Sequence, residues 1–359
     1  TFRLLGLDAE HYGSPRWNPL KDIVRPGERV VLKPNLVREY RETLPGLDDC
    51  VITHGSVIRA VLDYVYIALQ GKGRIIIADS PSDDADFKSL RKLSGLDAMV
   101  DFYQHHAGFP IELYDLRMHR DYKINGLIVG RDLLPGDPAG YITVDLGKHS
   151  RFHEIEEECH RLYGATYNVH EIRRHHADGR HEYQISRTVL GADCVILLPK
   201  LKTHQKVGIT VNMKLLVGIC GNKDCIAHYR VGVPIKGGDQ FAGSGMRERL
   251  ERVAVGTFKQ YCGGWGPQLR VLARPLRWIG EEVFGRTNEV IRSGNWHGND
   301  TAWRMVHDLT RIILHADAEG ELHDYRSRRI FCVVDGIIGG QGNGPLDPDP
   351  CPLGAIVAG

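Results

Sequence analysis

The sequence predicts an α/β fold: a mostly parallel sheet with helices on both faces and an inserted antiparallel, irregular region. Three observations predict it. Residues 29–33, 74–78, 194–198 and 328–334 are short apolar runs with the length and β-branched content of fully buried strands. The first two are joined by Val57, Val61, Val65 and Leu69 at helical spacing, which makes a β-loop-α-β unit with parallel strands and a right-handed crossover. Each run ends in polar or charged residues, and open α/β sheets bind ligands beyond the carboxyl ends of their strands.

The elements follow in order. Pro34-Asn35 ends the first strand, and a long loop, residues 36–52, carries Arg38, Arg41 and the acidic Asp48-Asp49. Loops of that length inside a domain are often functional. Thr53 or Ser56 is expected to cap the next helix, and Gly71 or Gly73 to close it. The second strand runs into Asp79-Ser80-Pro81. Residues 84–106 read as two short helices broken near Gly95, and 110–114 as a third strand. Residues 122–146 read as a meander with Asn125-Gly126 as its hairpin turn. Residues 151–181 are polar and hold six of the 18 histidines: His153, His160, His170, His175, His176 and His181. Histidine-rich runs can bind metal, but this spacing matches no compact ligand set and favours a solvated insertion.

The central stretch is 193–232. Pro199 is expected to end its strand, because proline cannot donate to a ladder. Lys200, Lys202, Thr203, His204 and Lys206 crowd beyond it. A helix is expected over 213–219, and a glycine-rich loop over 232–245. Residues 246–284 mix a helical pattern with Gly263-Gly264 and Pro267. Residues 299–315 are amphipathic, with Met305, Leu309, Ile312 and Ile313 on one face and Asn299, Asp300 or Thr301 as cap. The last strand ends in Asp335-Gly336, and Gly339–Gly344 reads as a loop almost without side chains that lacks the GxxxxGK[ST] pattern. The organisation expected is an N-terminal α/β part (1–119), the insertion (120–190) and a C-terminal α/β part (191–359).

Composition is ordinary: of 359 residues 42% are apolar and 25% charged, enough for a packed core. A net charge of +1 gives no general attraction to nucleic acid or to a membrane surface, and no apolar run reaches the ~20 residues of a membrane span. The chain starts at Thr1 and stops at Gly359 directly after an apolar run, so pieces are expected to be missing at both ends. Eight scattered cysteines include no CxxC and no ferredoxin-like run, so an iron–sulfur site is not expected. Free thiols fit a reducing, cytoplasmic compartment. Cys220 and Cys225, five apart, keep a redox reading open. No GxGxxG indicates a nicotinamide cofactor.

Strand ends supply the chemistry: Lys33 and Asn35; Asp79 and Ser80; Lys200, Lys202, Thr203 and His204; Asp335. Ammonium groups there suit an oxyanion, phosphate or carboxylate. Asp79 and Asp335 with Asn35 suit a hard divalent cation such as Mg²⁺. Lys214 lies beside Asn212 at a helix start, where cations repel unless an anion binds between them. Lys223, His228 and Arg230 form a second wall. His228 and Asp239 flank a turn rich in glycine and proline. His228 is therefore expected to face Lys202 and His204, with Asp239, a further metal candidate, in reach of one of these groups.

Val31-Leu-Lys-Pro-Asn35, Ala78-Asp-Ser-Pro81, Leu198-Pro-Lys-Leu-Lys-Thr-His204 and Asn212-Met-Lys214 with Gly218 resemble the family called domain of unknown function 362, from about residue 28 onward. The Pro-Lys-Leu-Lys-Thr-His run is the specific part. The resemblance implies the fold and the site more than a reaction. Many members of that family carry an iron–sulfur region, and this sequence holds no such cysteine run.

The expected function is that of an enzyme acting on a small anionic molecule. Lys202, His204, Lys214 and His228 are the catalytic candidates. Lys33, Asn35, Ser80, Lys200, Thr203, Asn212 and Lys223 are the substrate-binding candidates, and Asp79, Asp335 and Asp239 the metal ligands. A lysine among other ammonium groups has a lowered pKa, which makes it a usable base. Phosphoryl transfer, ligation and isomerisation stay open, as do a non-catalytic metabolite or metal-cofactor carrier and the oligomeric state.

Overall fold

The computed structural model describes residues 1–41, 49–124, 127–164, 169–243 and 293–359, with single positions between 245 and 254. The turn at 125–126, part of the loop at 36–52 and most of 246–284 lie outside the described residues.

In chain order, β1 (Arg29–Pro34) leads through α1 (Gly55–Leu69) to β2 (Arg74–Asp79), and α2 (Phe87–Leu93) and α3 (Leu96–Phe102) lead to β3 (Ile111–Asp115). The inserted region holds β4 (His119–Ile124), β5 (Leu127–Leu133), β6 (Tyr141–Asp145), β7 (Leu162–Tyr163), α4 (Val169–His175) and β8 (Glu182–Ser186). Then come α5 (Arg187–Leu190), β9 (Cys194–Leu198), β10 (Lys200–His204), β11 (Gly208–Thr210), α6 (Asn212–Leu215), β12 (Tyr229–Arg230) and α7 (Ala302–His315). The long β13 (Arg329–Asn343), β14 (Asp347–Cys351) and β15 (Ala355–Ala358) complete the described chain.

β3, β2, β1, β9 and β13 pair side by side, all parallel. β10 also runs parallel to β13, while β11, β14 and β15 add antiparallel edges. Period-two alternation divides the strand residues between two cores. Val30, Leu32, Ile75, Ile77, Ile196 and Leu198 pack against α1, including Ile58, Leu62 and Val65. Val31, Ile76, Val195 and Leu197 pack against Met305, Leu309, Ile312 and Ile313 of α7 and against Val144, Phe152, Tyr183 and Ile185 of the insertion. The predicted apolar face of α7 is thus the buried one. No helix among the described residues is long and apolar enough to cross a membrane.

Several local expectations are corrected. Pro199 ends β9 as expected, but the polar stretch beyond it is not a turn: β10 begins at once, and the Pro199 carbonyl accepts the Asp335 N–H at 2.8 Å. Proline loses only its donor, so its acceptor still joins the ladder. Gly339–Gly344 is largely strand, not loop. A Cβ on Gly340 would lie 2.7 Å from the Lys202 Cβ and 3.0 Å from the Cys50 carbonyl, so the glycines allow close strand packing. His54, not Thr53 or Ser56, caps α1, and Gln70 in the left-handed region closes it. Thr53 instead ties strand ends together: its Oγ1 donates to Leu198 O (2.6 Å) and accepts the Asn35 N–H (2.9 Å). The meander is broken, since β4 pairs with β5 but β6 pairs with the distant β8. The histidine run is not uniformly solvated, because His175, His176 and His181 are buried.

Candidate functional site

The chain runs outward from β1 in both directions, to β2 and β3 on one side and to β9 and β13 on the other. That makes β1/β9 the topological switch point, beyond whose carboxyl ends ligands bind in open α/β sheets. A crevice of about 440 Å³ opens there, a size suited to a small ligand. It is lined by Lys33, Asn35, Asp79, Ser80, Lys202, His204, Lys214, Lys223 and His228, all named from the sequence.

Its floor is an ion pair. Lys33 Nζ donates to Asp79 Oδ1 at 2.5 Å and to Pro34 O at 3.0 Å, while Asp79 Oδ2 accepts the Leu36 N–H at 2.7 Å. Burial pushes the Lys33 amine down and Asp79 opposes it. Gly218 closes over this pair: a Cβ there would fall 2.2 Å from Asp79 Oδ1 and 2.5 Å from Lys33 Nζ.

The walls hold amines and imidazoles. Lys202 is buried, donates to Val51 O at 2.6 Å, and is pushed down to about 7 by desolvation, with Lys214 and Lys200 acting in the same direction. Lys214 is half-buried and also pushed down to about 7, by desolvation and then by Lys223 and Lys206; it has no counter-ion among the described residues. Lys223 donates to Ser80 O (3.0 Å) and Val217 O (2.8 Å), bracing two loops, and burial lowers its pKa. Ser80 Oγ and Thr210 Oγ1, both on crevice-lining residues, are buried without a partner among the described residues.

The two histidines carry opposite tautomers. His204 Nδ1 lies 3.1 Å from the Lys206 N–H and accepts it, which leaves the proton of the neutral ring on Nε2. His228 Nδ1 lies 3.2 Å from the Ile226 carbonyl, an acceptor only, so Nδ1 carries the proton and Nε2 keeps a lone pair. Desolvation lowers His228 to about 3 and His204 well below the usual imidazole range, with Lys214 and Lys206 acting in the same direction on both rings. Both rings are therefore neutral at pH 7.

Other candidates lie away from this crevice. Lys200 Nζ donates to Asp335 Oδ2 at 2.8 Å, both side chains are fully buried, and Asp335 also accepts the His54 and Ile337 N–H groups. Thr203 Oγ1 donates to Gly342 O, which joins β10 to β13. Asn212 begins α6 but is not among the lining residues. His228 meets Lys202 and His204 at the crevice as expected, but Asp239 does not follow. Asp239 accepts the Arg230 N–H (2.6 Å), the Asp300 N–H (2.9 Å) and the Thr301 hydroxyl (2.6 Å), so it fixes the turn that leads into α7. Asp79, Asp335 and Asp239 thus have separate partners and do not converge as a ligand set.

Sequence reasoning passes over Asp83 and does not assign Arg38, Lys206 or Thr210 to the site; all four line the crevice. Burial raises the Asp83 carboxyl to about 6, opposed by Lys223. Buried Arg117 positions its loop by donating to Ser82 O (2.8 Å), Asp83 O (3.3 Å) and Ala85 O (2.9 Å). The polar run Ser80-Pro-Ser-Asp-Asp84 directly past a buried strand is the available signal. Cys220 and Cys225 are buried free thiols whose pKa is raised by burial, Cys225 to about 12. Reactive thiols need the opposite surroundings.

A search of curated proteins finds no match. The chain is similar to a Thermotoga maritima protein whose crystal structure was solved in structural genomics, with 9% identity and a TM-score of 0.38. That likeness covers 100% of this chain, which spans 54% of the other protein's length. The family model described as Domain of unknown function (DUF362) matches residues 30–133 and 136–359, and the chain belongs to that family.

Proposed function

We propose that the crevice binds a small molecule bearing a phosphate or carboxylate and moves a proton on it. One observation carries the reading: six cationic side chains, Lys33, Arg38, Lys202, Lys206, Lys214 and Lys223, line a crevice whose lining includes three carboxylates, Asp79, Asp83 and Asp347. An amine in that field relieves repulsion by losing its proton or by binding an anion. Lys214, Ser80 Oγ and Thr210 Oγ1 are the groups that receive the anion in this reading.

The neutral His228 offers its Nε2 lone pair as base, and His204 offers an Nε2–H as donor to an oxygen that gains charge. Lys202, with a pKa near the working pH, is the second base candidate. Such a set fits isomerisation next to a carboxylate or proton removal ahead of group transfer. The observed partners of Asp79, Asp335 and Asp239 supply no open ligand set, so the proposal does not require Mg²⁺. The buried surroundings of Cys220 and Cys225 do not favour redox use.

The test is a thermal-shift and calorimetric screen of phosphates and carboxylates against the wild type, Lys214→Met and His228→Gln. A shift by one anion class that Lys214→Met abolishes supports the binding site. Turnover of that ligand lost in His228→Gln, with binding retained, supports proton transfer. Binding without turnover in any variant would make this a carrier, and no shift with any anion would end the reading.

A further inference from the structure

We propose that the inserted region holds a divalent transition-metal site formed by His153, Glu156 and His181, separate from the crevice. One ligand atom from each of these side chains lies within 4.8 Å of the others. His153 Nδ1 and Glu156 Oε2 are already 3.2 Å apart, close to the ~3.4 Å between neighbouring ligands of a tetrahedral ion with ~2.1 Å bonds.

The independent observation is His181. Its ring is fully buried, and neither Nδ1 nor Nε2 has a partner among the described residues. Buried polar atoms are ordinarily hydrogen-bonded, and orphans call for an unseen ligand. The other buried histidines of the run each have at least one partner, although His176 Nδ1 is also unpartnered among the described residues. His175 lies between Glu182 and Glu171, at 2.9 Å and 3.2 Å, and His176 Nε2 faces the Cys225 carbonyl at 3.1 Å.

The His181 backbone is also held in place. Its N–H donates to Asp145 Oδ1 at 2.8 Å, and its carbonyl accepts the Leu146 N–H at 3.1 Å. The rings of Phe152 and His176 pack beside it, with centroids 6.2 Å and 5.7 Å away. His153 and Glu156 are partly solvent-exposed and free to close the last ångström.

Two imidazoles and one carboxylate suit Zn²⁺ and its neighbours better than Mg²⁺ or Ca²⁺, and a water completes four-coordination. The ion would join the 153–161 segment to the start of β8 across 28 residues of chain, and so hold two segments of the insertion together beside its β6/β8 pair.

The experiment loads the full chain with Zn²⁺, removes excess by gel filtration, and measures bound metal, competition against a chromogenic chelator, and melting temperature. About one equivalent is expected on the wild type and on the control His160→Ala, with a higher melting temperature. His153→Ala and Glu156→Gln should lower the affinity by at least ~10–100-fold and remove the thermal gain. Both positions are partly exposed, so their metal-free melting should match the wild type. The crevice offers an internal contrast, since zinc bound there would ignore these two substitutions. Zinc unaffected by both, or no zinc on the wild type, would overturn the site without touching the anion proposal.

Discussion

Lys33 Nζ lies 2.5 Å from Asp79 Oδ1, and both are sealed under the backbone of Gly218. Any side chain at 218 displaces one partner from a site where neither can reach water. Gly218→Ala should destabilise the fold by ~1–3 kcal/mol in urea unfolding and weaken anion binding. Full stability in that variant would show that the pair has room to move.

Anion binding should be coupled to proton uptake. Lys202 and Lys214 sit at about 7 when free, and a bound anion raises both. Between the free and bound values, binding therefore takes up protons, and affinity falls as pH rises above about 7. Calorimetry at one pH in buffers of different ionisation enthalpy counts those protons. Zero uptake at pH 8 would mean that neither amine faces the ligand.

Lys202 should cost stability where it serves function. Its value is 10.5 in the unfolded chain and about 7 in the folded one, so the unfolded state holds more protons between those limits. Stability rises with pH across that window and is level below it. Lys202→Met should therefore stabilise the fold at pH 7.5, by a few degrees in melting temperature, and the gain should shrink towards pH 10. A gain of constant size would point to packing instead.

Lys200 and Asp335 form a fully buried pair away from the crevice. Asp335→Ala strands a buried ammonium and should cost ~3–5 kcal/mol, while the double variant Lys200→Met/Asp335→Leu should recover most of that. Denaturant unfolding of the three proteins decides it. Equal loss in the single and double variants would mean that Asp335 stabilises the fold chiefly through its bonds to the His54 and Ile337 amides.

Thiol labelling of the native protein should spare Cys220 and Cys225. Among the described cysteines, Cys351 is the one with appreciable exposure and should react first. Fast labelling of Cys220 would reopen the redox reading.

The parallel order of the first strands, the α7 face and most of the crevice were legible in the sequence because each rests on local pattern. Continuous apolar runs mark strands buried on both sides, a 3.6-residue period marks a helix face, and polar groups directly beyond a strand end mark the ligand edge. Lys33, Asp79, Lys202 and His204 follow from that rule alone, and Lys214 from its place at a helix start. Asp83 escaped it because three residues of loop separate it from the end of β2.

Only the tertiary structure decided which of the candidate groups meet. Lys200 and Lys202 share one face of β10 by alternation, yet Lys200 pairs with Asp335 while Lys202 lines the crevice. The reason is register: β13 sets Lys200 opposite Asp335, then shifts so that Lys202 lies opposite Gly340. Asp239 likewise accepts the Asp300 N–H and the Thr301 hydroxyl at the start of α7, brought to it from 61 and 62 residues away. A sequence states which side chains leave each strand end. The partner each one finds depends on pairings between distant segments, and for buried charges that pairing decides whether they hold the fold together or remain open to a ligand.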